Sequence, residues 1–237
     1  MRTIGLIGGM SWESSAEYYR LLNERVRERL GGLHSARCVL YSVDFAEIEQ
    51  LQVNGEWERA GDVLAAAAKG VEAAGADLVL ICTNTMHKVA DQVQAALSVP
   101  LLHLADATAE AVRAAGVTRV GLLGTAFTME QEFYRERLAG HGQLEVLVPD
   151  QAGRDVVHRV IYEELCLGIV REESRAAYQE VIGGLVDAGA EGVILGCTEI
   201  ELLIGQADSP VPVFPTTRLH AEAAVDAALA PPPPPAA

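Results

Sequence analysis

The chain has 237 residues, 50% hydrophobic and 22% charged, with 18 Lys and Arg against 33 Asp and Glu for a net charge of −15. That composition is globular, with enough apolar material for one domain or two small ones, and it excludes an intrinsically disordered polymer. No basic cluster is present, which argues against nucleic acid or an anionic membrane as partner, since both require grouped Lys and Arg.

The opening residues, Met-Arg-Thr-Ile-Gly-Leu-Ile-Gly-Gly, run directly into a strand pattern without the regions of a signal peptide. No apolar run reaches the length of a bilayer span. The four cysteines, Cys38, Cys82, Cys166 and Cys197, lack both C-x-x-C spacing and the density of a disulfide scaffold. Reduced thiols in the cytoplasm are expected. No His-x-x-His or Cys/His set suggests a metal.

In chain order, short β-branched or Leu-rich runs predict strands over Thr3–Ile7, Cys38–Ser42, Leu78–Cys82, Leu101–Leu104, Arg119–Leu123, Gln143–Val148, Val193–Cys197 and Val213–Phe214. Ala-rich amphipathic stretches predict helices over Ser15–Leu30, Trp57–Ala74, Ala107–Ala115, Glu130–Ala139, Asp155–Gly168 and Glu172–Ala188. Alternation of this kind, with nearly continuous apolar strands, predicts an α/β fold with parallel sheets covered on both faces. The ending P-P-P-P-P-A-A, residues 231–237, predicts an extended, disordered tail.

The chain also repeats itself. R-T-I-G-L-I-G-G (2–9) returns as T-R-V-G-L-L-G-T (118–125), V-E-A-A-G-A-D-L-V-L-I-C-T-N-T (71–85) as L-V-D-A-G-A-E-G-V-I-L-G-C-T-E (185–199), and V-P-L-L (99–102) as V-P-V-F (211–214). The order is kept and the offsets are nearly constant, which points to duplication. Two pseudosymmetric lobes facing each other across a cleft are expected, the first built from residues 1–100 plus 211–228 and the second from 101–210, with 229–237 as tail.

Parallel sheets of this kind bind ligands beyond the carboxyl ends of their strands. The repeated ends, Thr83-Asn84-Thr85 and Cys197-Thr198-Glu199, therefore belong in the cleft, with Thr83 opposite Cys197 and Cys82 opposite Gly196. Each is expected to open a helix, whose free N–H groups hold a carboxylate without Lys or Arg. The Thr85 and Thr198 hydroxyls and the Asn84 amide add neutral donors. A thiol at a helix N-terminus ionises readily, which suits Cys197 to act as base or nucleophile. The alternative is a small cysteine packing at a strand end.

The blocks G-L-I-G-G-M-S-W (5–12), C-T-N-T-M-H (82–87), G-L-L-G-T-A-F-T (121–128), I-Y-E-E-L-C-L-G (161–168) and G-C-T-E-I (196–200) together resemble the aspartate/glutamate racemase family. Within it they look most like the bacterial branch of L-aspartate/glutamate-specific, or broad-specificity, amino-acid racemases. The likeness runs from about Thr3 to about Ala224. It implies two Rossmann-like (flavodoxin-like) lobes, a homodimer, a small amino-acid substrate, and racemisation with no cofactor, neither pyridoxal phosphate nor metal. In the family two thiols flank the substrate Cα; one removes the α-proton and the other returns it on the opposite face. Other isomerases and decarboxylases share this scaffold, and a binding protein that has lost turnover is a further alternative.

The chain departs from the family at two places. Thr83 stands where the family places its first thiol. Cys82 is one residue early, and adjacent strand residues face opposite ways, so Cys82 is expected in the core. The expected catalysis is asymmetric, with Cys197 on one face, a Thr83-held water on the other, and the L enantiomer preferred. Cys166 stands where many family members carry Lys, and is expected to pack on a helix. Gln52 is the candidate contact for the substrate side chain, with Met10 as an apolar wall, and both together weaken the expectation of strict aspartate specificity. Thr125 is a hydroxyl donor to substrate or a helix N-cap. His87 either orients the site or lies on a helix surface. Glu199 accepts a proton, binds an ammonium, or only favours a helix start. Gly8-Gly9 lacks the remainder of G-x-G-x-x-G and serves a tight turn and close approach of substrate. Trp12, Trp57, Tyr18 and Tyr19 read as packing or lid residues.

Overall fold

The computed structural model of the chain describes residues 1–231, so most of the expected tail, residues 232–237, lies outside the described residues. Strands β1 (Ile4–Gly8), β2 (Cys38–Ser42), β3 (Leu78–Ile81), β4 (Arg119–Gly124), β5 (Glu145–Leu147), β6 (Gly192–Gly196) and β7 (Val213–Pro215) alternate with helices. These are α1 (Trp12–Leu30), α2 (Phe45–Val53), α3 (Trp57–Ala73), α4 (Ala90–Ala95), α5 (Leu104–Ala114), α6 (Ala126–Glu130), α7 (Glu132–Gly142), α8 (Gln151–Glu163), α9 (Glu172–Asp187) and α10 (Thr216–Leu229). None of the described helices is long and apolar enough to cross a membrane.

All described strand pairs are parallel, in two sheets of order β2-β1-β3 and β5-β4-β6-β7. A single parallel bridge from Val79 to Leu101 gives the first sheet a fourth position beside β3, matching β7 beside β6. The two sheets thus share one topology, as duplication requires. The expected strand over Leu101–Leu104 is reduced to that bridge. The His103 imidazole caps α5 by accepting the Ala105 N–H at 3.1 Å, so the helix begins at Leu104 and leaves no room for a strand.

The lobes exchange their last helices. Helix α5 follows the fourth position of the first sheet, yet its Leu104, Ala105, Ala109 and Val112 pack with Val120, Leu122 and Ile194 of the second. Helix α10 follows β7 and returns to the first lobe, where Ala221, Ala224, Val225 and Ala228 pack on Ile4, Leu6, Tyr18 and Leu22. The small residues of α10 let it lie close against α1. Strand β7 therefore corrects the expected lobe boundary: residues 213–215 pair in the second sheet, and only the helix after them belongs with the first.

Three histidines gather at the crossover between the lobes, with His87 4.6 Å from His103 and 5.7 Å from His220 between ring centroids. Their partners fix two of the tautomers. His87 Nε2 accepts the Leu104 N–H at 3.2 Å, so its Nδ1–H donates to the Thr83 carbonyl at 2.7 Å. His220 Nε2–H donates to the Leu102 carbonyl and Nδ1 accepts the Tyr18 hydroxyl, both at 2.8 Å. A second ring proton on either would face a donor. Burial pushes His87 down to about 4 and His220 down to about 3. His87 is thus no surface residue; it ties the strand end at Thr83 to the start of α5.

Gly9 has φ +93°, and a Cβ there would overlap the Val43 carbonyl oxygen, so the close approach is to the backbone after β2 rather than to a ligand. Gly9→Ala should cost more than about 3 kcal/mol, read as a lower urea midpoint at unchanged slope. The histidines also set a pH dependence. Below their unfolded pKa of about 6.5 the unfolded chain takes up protons that the native rings refuse. Stability should therefore fall as the pH drops from about 6.5 towards 4, by at most about 3 kcal/mol per pH unit for two protons. A urea midpoint that stays flat from pH 7 to 5 would contradict the neutral pairings.

Candidate active site

The carboxyl ends of β3 and β6 meet at a cavity between the lobes. Every residue expected at the site lines it: Met10, Gln52, Thr83, Asn84, Thr85, Thr125, Cys197 and Thr198. The same wall also holds Ser11, Ser14, Phe45, Tyr162, Cys166 and Glu199. Its free volume is about 30 Å³, room for a water or two.

The elements that deliver these groups differ from expectation. Each strand end opens a single turn of 3₁₀ helix, Thr85–Val89 and Thr198–Leu202, rather than an α-helix. The dipole of so short a turn is small. What surrounds Cys197 is instead a carboxylate. The Cys197 thiol donates to Glu199 Oε2 at 2.9 Å, and the Ser11 hydroxyl donates to Glu199 Oε1 at 2.7 Å. Glu199 is only 6% exposed. Burial, then the Glu199 charge, hold the Cys197 thiol well above its ordinary value, while the Glu199 backbone N–H pointing at the sulfur works the other way. The expected easy ionisation is overturned: the resting sulfur is a thiol with its proton already on a hydrogen bond to an acceptor.

A chain of hydroxyls crosses behind it. Ser14 must donate to the Cys82 carbonyl at 2.9 Å, so it accepts from Thr198 at 2.8 Å, and Thr198 accepts from Thr217 at 2.7 Å. The Thr198 proton is thus committed within the protein. Thr85, Thr125 and Thr128 are more loosely held, at 3.1 to 3.4 Å from one another. Thr125 also caps α6, its hydroxyl accepting the Thr128 N–H at 3.4 Å.

Asn84 carries the most pointed vacancy. Its Nδ2 donates to Thr216 Oγ1 at 3.1 Å, and Thr216 in turn donates to the Leu195 carbonyl at 2.8 Å. That fixes the amide with Oδ1 as a free acceptor, and this oxygen is buried without a partner. An unpaired buried acceptor is costly and marks a place where a donor belongs.

Cys82 packs in the first lobe's core with Tyr18 and Leu22, and burial pushes its thiol up. Cys166 does not simply pack on a helix. It sits on a 3₁₀ turn, Leu165–Leu167, against the second core and faces the cavity. Burial, then Glu199 and Glu13, push it up to about 12. Trp12 is 68% exposed and packs little, whereas Trp57 meets Phe127 edge-on and lies under Lys88. Ser11 and Ser14 were not anticipated. The only trace of them in the sequence is Ser-x-x-Ser at the start of α1, where Ser11 caps the helix by accepting the Ser14 N–H.

Residues 7–224 match the family model described as Asp/Glu/Hydantoin racemase. A Yersinia pestis protein classed with the Asp/Glu racemases has a crystal structure 56% identical in sequence, with a TM-score of 0.91, covering 97% of this chain and 100% of its own. An aspartate racemase homologue from Pyrococcus horikoshii is 38% identical with a TM-score of 0.85, over 96% and 99%. The broad-specificity amino-acid racemase RacX of Bacillus subtilis is 21% identical over 96% of this chain and 98% of its own. The two-lobed parallel fold, the duplicated strand ends and this match along nearly the whole chain place the protein in the Asp/Glu/hydantoin racemase family, among enzymes of the isomerase class.

Proposed function

We propose that the protein is a cofactor-independent amino-acid racemase in which Cys197 exchanges the α-proton and Glu199 accepts the proton of the thiol. One observation carries the reading: the Cys197 thiol is bonded to the buried Glu199 carboxylate in a cavity whose other wall is the duplicated strand end bearing Thr83.

Asn84 Oδ1 supplies an acceptor for the substrate ammonium, and Thr85 and Thr125 supply hydroxyls for the α-carboxylate. With the ammonium in place, the thiol proton passes to Glu199 Oε2. The thiolate then removes the α-hydrogen: the C–H bond breaks, an S–H bond forms, and the electron pair spreads into the carboxylate. Fixed hydroxyl and amide dipoles stabilise that developing charge without reorganising. Reprotonation on the opposite face comes from water held at Thr83, because a threonine hydroxyl has no accessible alkoxide at neutral pH. The proton on Glu199 Oε2 then leaves through solvent and neutralises the hydroxide left at Thr83, which restores the Cys197 thiol and the Glu199 carboxylate and closes the cycle. The free volume of about 30 Å³ is smaller than an amino acid, so substrate entry in this reading requires the cavity to widen.

Incubation in D₂O with single L- and D-amino acids, followed for α-deuteration and chiral composition, tests the reading directly. Cys197→Ser should abolish exchange, and Glu199→Gln should slow it by about 10²- to 10⁴-fold, the usual worth of a positioned proton acceptor. Full activity in Cys197→Ser would refute the assignment. Thr83→Cys should bring the L-to-D and D-to-L rates closer by several-fold; unchanged rates in both directions would show that residue 83 does not serve the second face.

A further inference from the structure

The cavity opens outward at Phe45 and Cys166, and the electrostatics of that end point one way. None of the described residues lining the cavity is lysine, arginine or histidine. Gln52 is a neutral contact; its Nε2 is spent on the Met86 sulfur at 3.0 Å, a weak acceptor that a better one would displace. The arginines nearest in sequence to Cys166, Arg159 and Arg171, are drawn to the buried Glu164 carboxylate at 3.5 and 3.9 Å, and neither lines the cavity.

The cavity also continues outward. A vestibule of about 300 Å³ shares Ser11, Phe45 and Cys166 with it, and is lined further by Trp12, Glu13 and Asp44. Both ionised groups at this mouth are carboxylates, and the exposed indole offers a face to a cation. From inside, the Cys166 thiol feels burial first and then Glu199 and Glu13, while the Tyr162 hydroxyl feels burial, then the Cys197 and Cys166 thiols, and only after them Glu49 and Glu199. The same negative end therefore shows in the lining residues and in the groups that report on it.

We propose, resting on the racemase reading above, that the enzyme selects against a distal carboxylate and turns over amino acids whose side chains are uncharged within the cavity or end in a cation at the Glu13–Asp44 mouth. An aspartate or glutamate side chain entering this end would be desolvated next to Glu199 with no cation to receive it. A thioether, an amide or an alkyl chain meets Met10, Phe45, Tyr162 and Gln52 without that penalty. Cys166 is the specificity-determining position, because its thiol marks the boundary between cavity and vestibule.

A panel of L-Met, L-Gln, L-Lys, L-Asp and L-Glu in D₂O tests this on the full-length protein. The first three should show kcat/KM for α-exchange at least about tenfold above the two acids, and equal or faster exchange of either acid overturns the proposal. Cys166→Lys should raise L-Glu relative to L-Met by about tenfold or more, with Cys166→Ser leaving the ranking as it was. A folded Cys166→Lys variant with an unchanged ranking would remove residue 166 from the argument and overturn its assignment. If no amino acid exchanges at all, the racemase reading fails instead. Thermal shifts with the same five compounds then rank the site, and stronger stabilisation by Asp or Glu overturns the proposal on its own.

Discussion

One buried carboxylate ties the two lobes together. Glu199 belongs to the strand end of the second sheet, yet one of its oxygens is held by Ser11 from the turn after the first strand of the other sheet, and the other by the Cys197 thiol. Removing a carboxylate from water is expensive, and two hydrogen bonds offset only part of that cost. The proton nearest to it on that side is the one on the Cys197 sulfur. Burial, and then the same carboxylate, make thiolate formation unfavourable at rest. A sulfur held as thiol is also protected from adventitious oxidation and alkylation, since only the thiolate is a strong nucleophile.

The scaffold explains how two strand ends come to face each other. Each sheet carries the same strand order, and each sends its last helix across to the other lobe. The exchange places the two chain crossings side by side at the back of the cleft, where neutral His87 and His220 grip the backbone of Thr83 and Leu102. These hydrogen bonds of neutral imidazoles fix the strand end at Thr83 against the start of α5. Positioning of this kind is what proton abstraction from carbon demands, because the acid and base groups must sit on opposite faces of one carbon.

Much of this was legible in the sequence, for identifiable reasons. The β-α alternation and the repeats gave the parallel sheets, and the aligned repeats placed Thr83 across from Cys197 without any tertiary information. Leu101–Leu104 misled because three apolar residues read locally as a strand, while the available neighbour, Val79, accepts only one bridge before His103 starts a helix. The protonation of Cys197 was out of reach for a different reason. It is set by burial and by the direction in which Glu199 points, and Glu199 is fixed by a serine 188 positions earlier. The free acceptor on Asn84 likewise depends on Thr216, 132 positions away. Helix-terminus rules assume a helix, and a single 3₁₀ turn supplies little of the field they invoke.

The divergence of the repeats goes further than the lost thiol. In the register that sets Thr83 against Cys197, Thr85 stands against Glu199 and Asn84 against Thr198. One wall holds a thiol with its proton acceptor, and the other holds two hydroxyls and an amide. A site with both features on both walls would place two buried carboxylates around a substrate that brings a carboxylate of its own, a crowding of like charges that raises the cost of every ionised state. With a single Glu199, the described cavity lining carries one carboxylate, and the wall bearing Thr83 is neutral. Asymmetry between the walls thus relieves charge crowding as well as breaking the repeat, and the buried carboxylate stands on the Cys197 wall alone.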